Sequence, residues 1–224
     1  MANIRSQIGA ACADAGRDPS AVTLIAVTKG FPADDIRILC DLGVTDVGES
    51  RAAEGLAKRN ELSTLPLTWH CVGQVQTNKA TQVVRWADLV HSVDRSGLVE
   101  ALQRAAVSQD RTVDVLMQID VVPPDFPRSV HSARGGCSLG QVTDLATTIG
   151  HSANLRLLGV MSVADPALEP AWVFGRLQAE AERLRQRYPS ATVVSAGMSE
   201  DFATALAAGA THLRIGSAIL GERR

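Results

Sequence analysis

This sequence predicts an α/β fold, a single (β/α)8 barrel spanning residues 1–224, with an extra helix at its amino end. Apolar strand-like runs alternate with helix-like segments from end to end, eight strands can be counted, and the connections between them are short. At 224 residues and 46% hydrophobic content, one well-cored domain is expected, and α/β barrels reach this length as a single unit. A doubly wound open sheet shares the alternation. The lack of a Gly-rich dinucleotide fingerprint or a Walker loop weighs against it.

The opening stretch to about Ala15 reads as a polar amphipathic helix, broken by Gly16-Arg17-Asp18-Pro19. Clusters of β-branched and apolar residues between turn formers predict strands at Thr23–Val27, Thr45–Val47, Thr68–Val72, Leu89–Val93, Val113–Ile119, Leu157–Met161, Thr192–Val194 and His212–Ile215. Helical spacing between them predicts Ala33–Leu42, Ser50–Asn60, Asn78–Trp86, Gly97–Ser108, Leu139–Gly150, Ala171–Tyr188 and Ser199–Ala208. Val122–Cys137, with Pro123-Pro124, Pro127 and Gly135-Gly136, reads as a long loop after the fifth strand.

Bulk properties exclude several classes. A net charge of −2 gives no broad electrostatic reason to bind nucleic acid or an anionic membrane. No apolar stretch approaches a membrane span, and the first residues do not read as a signal peptide. Cys12, Cys40, Cys71 and Cys137 are scattered, with no C-x-x-C pair, which suits buried thiols in a reduced cytoplasm. The five histidines are equally dispersed, so no metal site is indicated.

Polar and glycine-rich clusters recur just after the strands. They include Lys29-Gly30, Gly48-Glu49-Ser50, Gly73 to Lys79, Asp94-Arg95, Met161-Ser162, Ser195 to Ser199, and Arg214 to Ser217. In a barrel all of them fall on one rim, where this fold places its chemistry. Lys29 closes the run Leu24-Ile25-Ala26-Val27-Thr28, and lysine forms Schiff bases with carbonyl compounds when its surroundings lower its pKa. The plain alternative is a strand-end lysine that snorkels to solvent. Gly197-Met198-Ser199 opens the predicted helix and Gly216-Ser217 follows the eighth strand, so the two loops suit a phosphate group. Ser199 as a helix cap and Gly216 as a turn are the alternatives. A lysine at strand one with a phosphate site at strands seven and eight is the pattern of a pyridoxal phosphate pocket.

These residues also carry a resemblance. Ala26-Val27-Thr28-Lys29, Val47-Gly48-Glu49, Trp69-His70-Cys71-Val72-Gly73-Gln74-Val75-Gln76-Thr77-Asn78-Lys79, His91-Ser92-Val93-Asp94, Leu158-Gly159-Val160-Met161, Gly197-Met198-Ser199-Glu200-Asp201 and Leu213-Arg214-Ile215-Gly216-Ser217 resemble the pyridoxal phosphate homeostasis family, similar to the alanine racemase N-terminal domain. The resemblance covers nearly the whole chain. It implies a TIM barrel of the fold-type III class that binds pyridoxal 5′-phosphate as a Schiff base on Lys29. Arg214 would face the pyridine nitrogen, while Ser199, Gly216 and Ser217 would hold the phosphate. Met198, Asn78 and Glu49 join the cofactor-binding set through the same motifs. Ser50 departs from the asparagine usual after Gly-Glu, and Arg134 departs from the lysine common before glycine in the long loop.

An arginine at the ring nitrogen cannot accept a proton, which weakens carbanion stabilisation. Racemisation needs a second acid/base opposite the lysine. In alanine racemases this is a tyrosine of a second domain of the partner subunit. The only tyrosine here, Tyr188, is predicted at a helix end away from the rim. The expected role is therefore carrying, buffering or delivering pyridoxal phosphate without robust catalysis, in the cytoplasm, as a monomer, with apo pyridoxal-dependent enzymes as recipients. One alternative is a weak fold-type III enzyme such as an amino-acid racemase, using His70, His91 or His212, although each reads as a packed, hydrogen-bonded strand residue. Another is a regulatory module docking through the Arg-rich helix Arg176–Arg187, which otherwise reads as a solvated face.

Overall fold

The computed structural model describes residues 1–122 and 135–221. Strands β1 (Thr23–Val27), β2 (Asp46–Glu49), β3 (Thr68–Cys71), β4 (Leu89–Val93) and β5 (Val113–Asp120) are followed by a two-residue rung, β6 (Cys137–Ser138). Then come β7 (Leu155–Met161), β8 (Val193–Ser195) and β9 (His212–Ile215). All pairings are parallel. The order is β4-β3-β2-β1-β9-β8-β7-β5, and pairing of β4 with β5 closes it into an eight-stranded barrel. The ninth strand, β6, pairs only with the end of β5. Its alternation is too short to be seen in the sequence.

Helices α1 (Ala2–Asp14), α2 (Ala33–Asp41), α3 (Ala52–Glu61), α4 (Ala80–Val84), α5 (Ser96–Ser108), α6 (Val142–Gly150), α7 (Pro170–Arg187), α8 (Phe202–Ala207) and α9 (Ser217–Leu220) complete the chain. The expected extra amino-terminal helix is α1. Arg17, just after it, donates to the carbonyls of Leu206 and Ala210 at 2.8 and 2.7 Å, placing a cation at the carboxyl end of α8. Three helical expectations change, one being Leu139–Gly150, which opens with a 3₁₀ turn, Leu139–Gln141, before α6. The segment predicted as Asn78–Trp86 is a 3₁₀ turn, Thr77–Lys79, followed by the short α4. The helix predicted from Ser199 begins instead at Phe202. Asp201 accepts the Met198 N–H at 2.6 Å, closing a separate turn ahead of the helix.

Side-chain alternation along each strand sorts two environments. Ala26, Val47, Trp69 and Cys71 point outward into the main core against the helices, where Trp69 and Trp86 meet edge to face at 6.5 Å. Residues of the other parity point inward. A small apolar cluster of Leu89, Leu116 and Met161 fills part of the barrel. A polar group, His70, His91, Gln118, Ser195 and Arg214, is buried too.

Gly159 shows how tightly the strands approach. The register of β5 against β7 slips beside it, and its φ of 152° lies outside the range that L side chains favour. A Cβ there would lie 1.9 Å from the Val193 carbonyl oxygen of β8. Gly159→Ala is therefore expected to cost at least about 1–3 kcal/mol, read as a lower urea midpoint; an unchanged midpoint would mean that β7 and β8 can separate freely.

Candidate functional site

β1 ends at Val27, so Lys29 stands two residues past the strand, half-buried in a turn on the carboxyl rim. Gly30 follows with φ of 79°, a conformation glycine adopts without steric cost. Three anchors hold this turn. Thr28 donates its hydroxyl to Glu49 Oε1 at 2.7 Å, its carbonyl accepts from Lys58 Nζ at 2.9 Å, and the Gly30 N–H donates to Glu54 Oε1 at 2.6 Å. Lys58 Nζ joins them, lying 2.7 Å from both Glu49 and Glu54. Glu49 is thus a fully buried residue beneath the Lys29 turn, with Thr28 and Lys58 as its partners. Burial pushes its carboxyl up, against the hydrogen bonds from Lys58 and Thr28.

The loops after β8 and β9 meet as expected. The Ser217 hydroxyl donates to Ser199 Oγ at 3.0 Å, and the Ala218 N–H reaches the same oxygen at 3.3 Å. Ser199 does not cap α8; its hydroxyl faces the neighbouring loop instead. Gly197, with φ of 91°, lets the chain pass where a Cβ would come 2.8 Å from Ala205 Cβ. Gly216 has an ordinary φ, and a Cβ there would sit 3.4 Å from the Val27 carbonyl, an ordinary contact. No close approach within the protein requires glycine at this position. Met198 is exposed beside Ser199.

Arg214 lies inside the barrel on β9, paired in register with Ile25 of β1. Its guanidinium donates to Ser195 Oγ at 2.7 Å and to the Ser162 carbonyl at 2.9 Å. Burial lowers its pKa to about 10, so it stays charged at neutral pH. Beyond Ser195 lie His91, His70 and Asp46. His91 Nδ1 is 3.0 Å from Ser195 Oγ, His91 Nε2 is 3.0 Å from His70 Nδ1, and His70 Nε2 is 2.9 Å from Asp46 Oδ1. Both histidines are packed and hydrogen-bonded strand residues, as the sequence suggests. His212 sits at the opposite end of β9 and contacts Thr211 Oγ1.

Asn78 and Lys79 are exposed in the 3₁₀ turn after β3, on the same rim as Lys29. Ser50 lies where the loops after β2 and β3 touch, since a Cβ on Gly73 would come 2.3 Å from the Ser50 carbonyl. Arg134 falls outside the described residues. Tyr188 ends α7 and packs beside Gly150 at the end of α6, on the face opposite the rim. Sequence reading passes over Lys58, Glu54 and Asp46, and places Ser195 in a rim cluster without its partners His91 and Arg214. Lys58 belongs to a helix that reads as polar. The other signal, polar residues at inward positions of successive strands, emerges only once the register is known. Among the described residues, no helix is long and apolar enough to cross a membrane, and no group of three or more His, Cys, Asp or Glu is placed to hold a metal ion.

Residues 4–224 match the family described as alanine racemase, N-terminal domain. A Mycobacterium bovis protein named pyridoxal phosphate homeostasis protein is 39% identical over 240 residues, covering 100% of this chain and 92% of the relative. An Escherichia coli K12 protein of the same name is 34% identical over 229 residues, covering 100% of this chain and 95% of the relative. The structure of PipY from Synechococcus elongatus with PLP bound matches with a TM-score of 0.77 at 33% identity, covering 96% of this chain and 100% of that chain. Alanine racemase from Corynebacterium glutamicum shares the fold, with a TM-score of 0.67 at 16% identity, over 96% of this chain and 59% of that chain.

Two outcomes follow from the buried charges. Lys58→Met leaves the Glu49 carboxylate buried without its counter-charge and should cost about 3–5 kcal/mol, with part of the loss recovered when Glu49→Gln is added; a double variant no more stable than Lys58→Met would show that the two groups are not coupled. Burial holds His91 well below the usual imidazole range and His212 at about 4. The unfolded chain then binds more protons below its own value of about 6.5. Stability present above that pH is lost as the pH falls toward about 4. Glu49, raised by burial, acts in the opposite sense, one carboxyl against two imidazoles. The urea midpoint should drop across this window, and a flat profile would place a proton already on the folded imidazoles.

Proposed function

The chain belongs to the alanine racemase N-terminal-domain family, and we propose that it binds pyridoxal 5′-phosphate in intracellular pyridoxal phosphate homeostasis, linked as a Schiff base to Lys29. The observation that carries this reading is the meeting, on one rim of a closed barrel, of the braced Lys29 turn, the paired Ser199 and Ser217 hydroxyls and the Arg214 cation. The donor set fits the cofactor. Two adjoining hydroxyls suit phosphate oxygens. A guanidinium has five N–H donors, more than the two bonds to Ser195 and Ser162 use, so Arg214 retains donors for a ring nitrogen. Gly216 and Met198 border the phosphate end, Asn78 lies on the next part of the rim, and Glu49 acts from below by fixing the turn.

Bound pyridoxal phosphate supplies an electron sink for carbanion chemistry, strongest when its ring nitrogen is protonated. Arg214 donates and cannot accept a proton, so it leaves that nitrogen unprotonated. Lys29 provides one base on one face of the cofactor. Of the candidate second bases, Tyr188 lies at the far end of α7, His212 at the far end of β9, and both nitrogens of His70 and His91 are engaged. These placements favour carrying or delivering the cofactor over turnover. Monomeric state, cytoplasmic location and apo pyridoxal-dependent enzymes as recipients complete the proposal.

Lys29→Ala should abolish the imine absorbance formed with pyridoxal phosphate and the pyridoxyl label found on the Lys29 peptide after borohydride reduction, while the far-UV spectrum stays unchanged. Label on Lys79 instead, or scattered over surface lysines, would overturn the assignment. With L-alanine in D₂O, the loaded protein should leave the α-proton in place. Its rapid exchange would favour the racemase alternative.

A further inference from the structure

The polar chain inside the barrel has a donor at one end and an acceptor at the other, and that fixes every proton between them. A guanidinium only donates and an ionised carboxylate only accepts, whereas a neutral imidazole and a hydroxyl each do both. Arg214 donates to Ser195 Oγ. The Ser195 hydroxyl then donates to His91 Nδ1, His91 Nε2–H to His70 Nδ1, and His70 Nε2–H to Asp46. This order satisfies every link with both histidines neutral and no proton left over. Reversing it needs one additional proton on the Asp46–His70 pair and a new acceptor for the Ser195 hydroxyl.

We infer that Asp46, His70, His91 and Ser195 are positioning residues for Arg214, forming a one-way hydrogen-bond relay in which both histidines are protonated on Nε2 alone. The inference rests on the reading that Arg214 faces the cofactor ring. The relay hands the guanidinium only a lone pair of Ser195, so Arg214 is held in one orientation and receives no transferable proton.

The surrounding charges favour the same order. His91 faces His70, Arg214 and His212, all of which disfavour a second proton on it. His70 has Asp46 on one side, and the His212 ring centroid lies 6.4 Å from its own. Against its burial, Asp46 is kept ionised by hydrogen bonds from His70 and Thr45. Asp201 is the carboxylate that acts on Arg214. The Asp46 end opens onto a cavity of about 400 Å³ at the base of the barrel, lined also by Arg5, Thr23 and Thr45. Protons therefore exchange with solvent at the base of the barrel, away from the rim.

The test starts without cofactor. Long-range ¹H–¹⁵N spectra of ¹⁵N-histidine-labelled protein at neutral pH should show both rings, assigned through His70→Gln and His91→Gln, as neutral Nε2–H tautomers. A Nδ1–H tautomer or an imidazolium at either position overturns the relay. With pyridoxal phosphate, Ser195→Ala should move the absorbance band and shift its pH midpoint by about one unit or more, while the borohydride label remains on Lys29 and Ser195→Thr restores the parent profile. A Ser195→Ala protein with the parent band and midpoint overturns the positioning role. Absence of label on Lys29 in the parent protein would defeat the cofactor reading alone, because the tautomer measurement needs no cofactor.

Discussion

Pairing of β4 with β5 is the contact on which the interior of the barrel rests. Leu89 with Asp114 and Val90 with Val115 turn a parallel sheet into a ring. Once the ring closes, every strand's carboxyl end lies on one rim and every inward side chain shares one interior. Lys29 after β1, Ser217 after β9 and Ser199 after β8 stand side by side because β1, β9 and β8 are consecutive in the sheet. The same closure stacks Asp46, His70, His91, Ser195 and Arg214, from five different strands, into one line of hydrogen bonds. An open sheet would leave β4 and β5 as edges and carry these residues apart.

Among the described residues, two cations, Lys58 and Arg214, are buried and are treated differently. Lys58 is neutralised by Glu49 and Glu54 at 2.7 Å each, a structural cluster whose product is the shape of the Lys29 turn. Arg214 is held by neutral acceptors, a serine hydroxyl and a backbone carbonyl. A buried charge with no carboxylate in hydrogen-bond contact is costly, and burial lowers its pKa although Asp201 acts on it from a distance. In the proposed cofactor site, an electron-rich ligand atom beside Arg214 would recover part of this energy. The cluster under Lys29 has no such need, since Lys58 already has carboxylates in direct contact.

Much of the fold is legible in the sequence because strand burial writes itself as β-branched runs between turn formers. Thr23–Val27, Leu89–Val93 and His212–Ile215 match the observed strands to the residue. The start of α8 is not legible: the serine at position 199 has the right chemistry for a cap, but Asp201 wins the turn through its bond to Met198. Lys29, Ser199 and Ser217 are visible as polar residues after strands, and Arg214 as a charge within an apolar strand run. Lys58 is invisible, because a lysine followed by an arginine in a helix reads as solvent-facing. His70 and His91 can be read as buried but not as partners. Their contact depends on the register of β3 against β4, which no local pattern encodes.

β1 sits between β2 and β9, so its second edge is satisfied only by a strand that lies far along the sequence. Arg17 likewise meets Leu206, 189 positions away. Local contacts alone therefore cannot satisfy β1, and its open edge can accept a strand from another molecule until these distant segments meet. Bringing them together carries a large loop-closure entropy. The geometry that gathers the rim thus also makes the barrel slow to close and exposed to intermolecular strand pairing until it does.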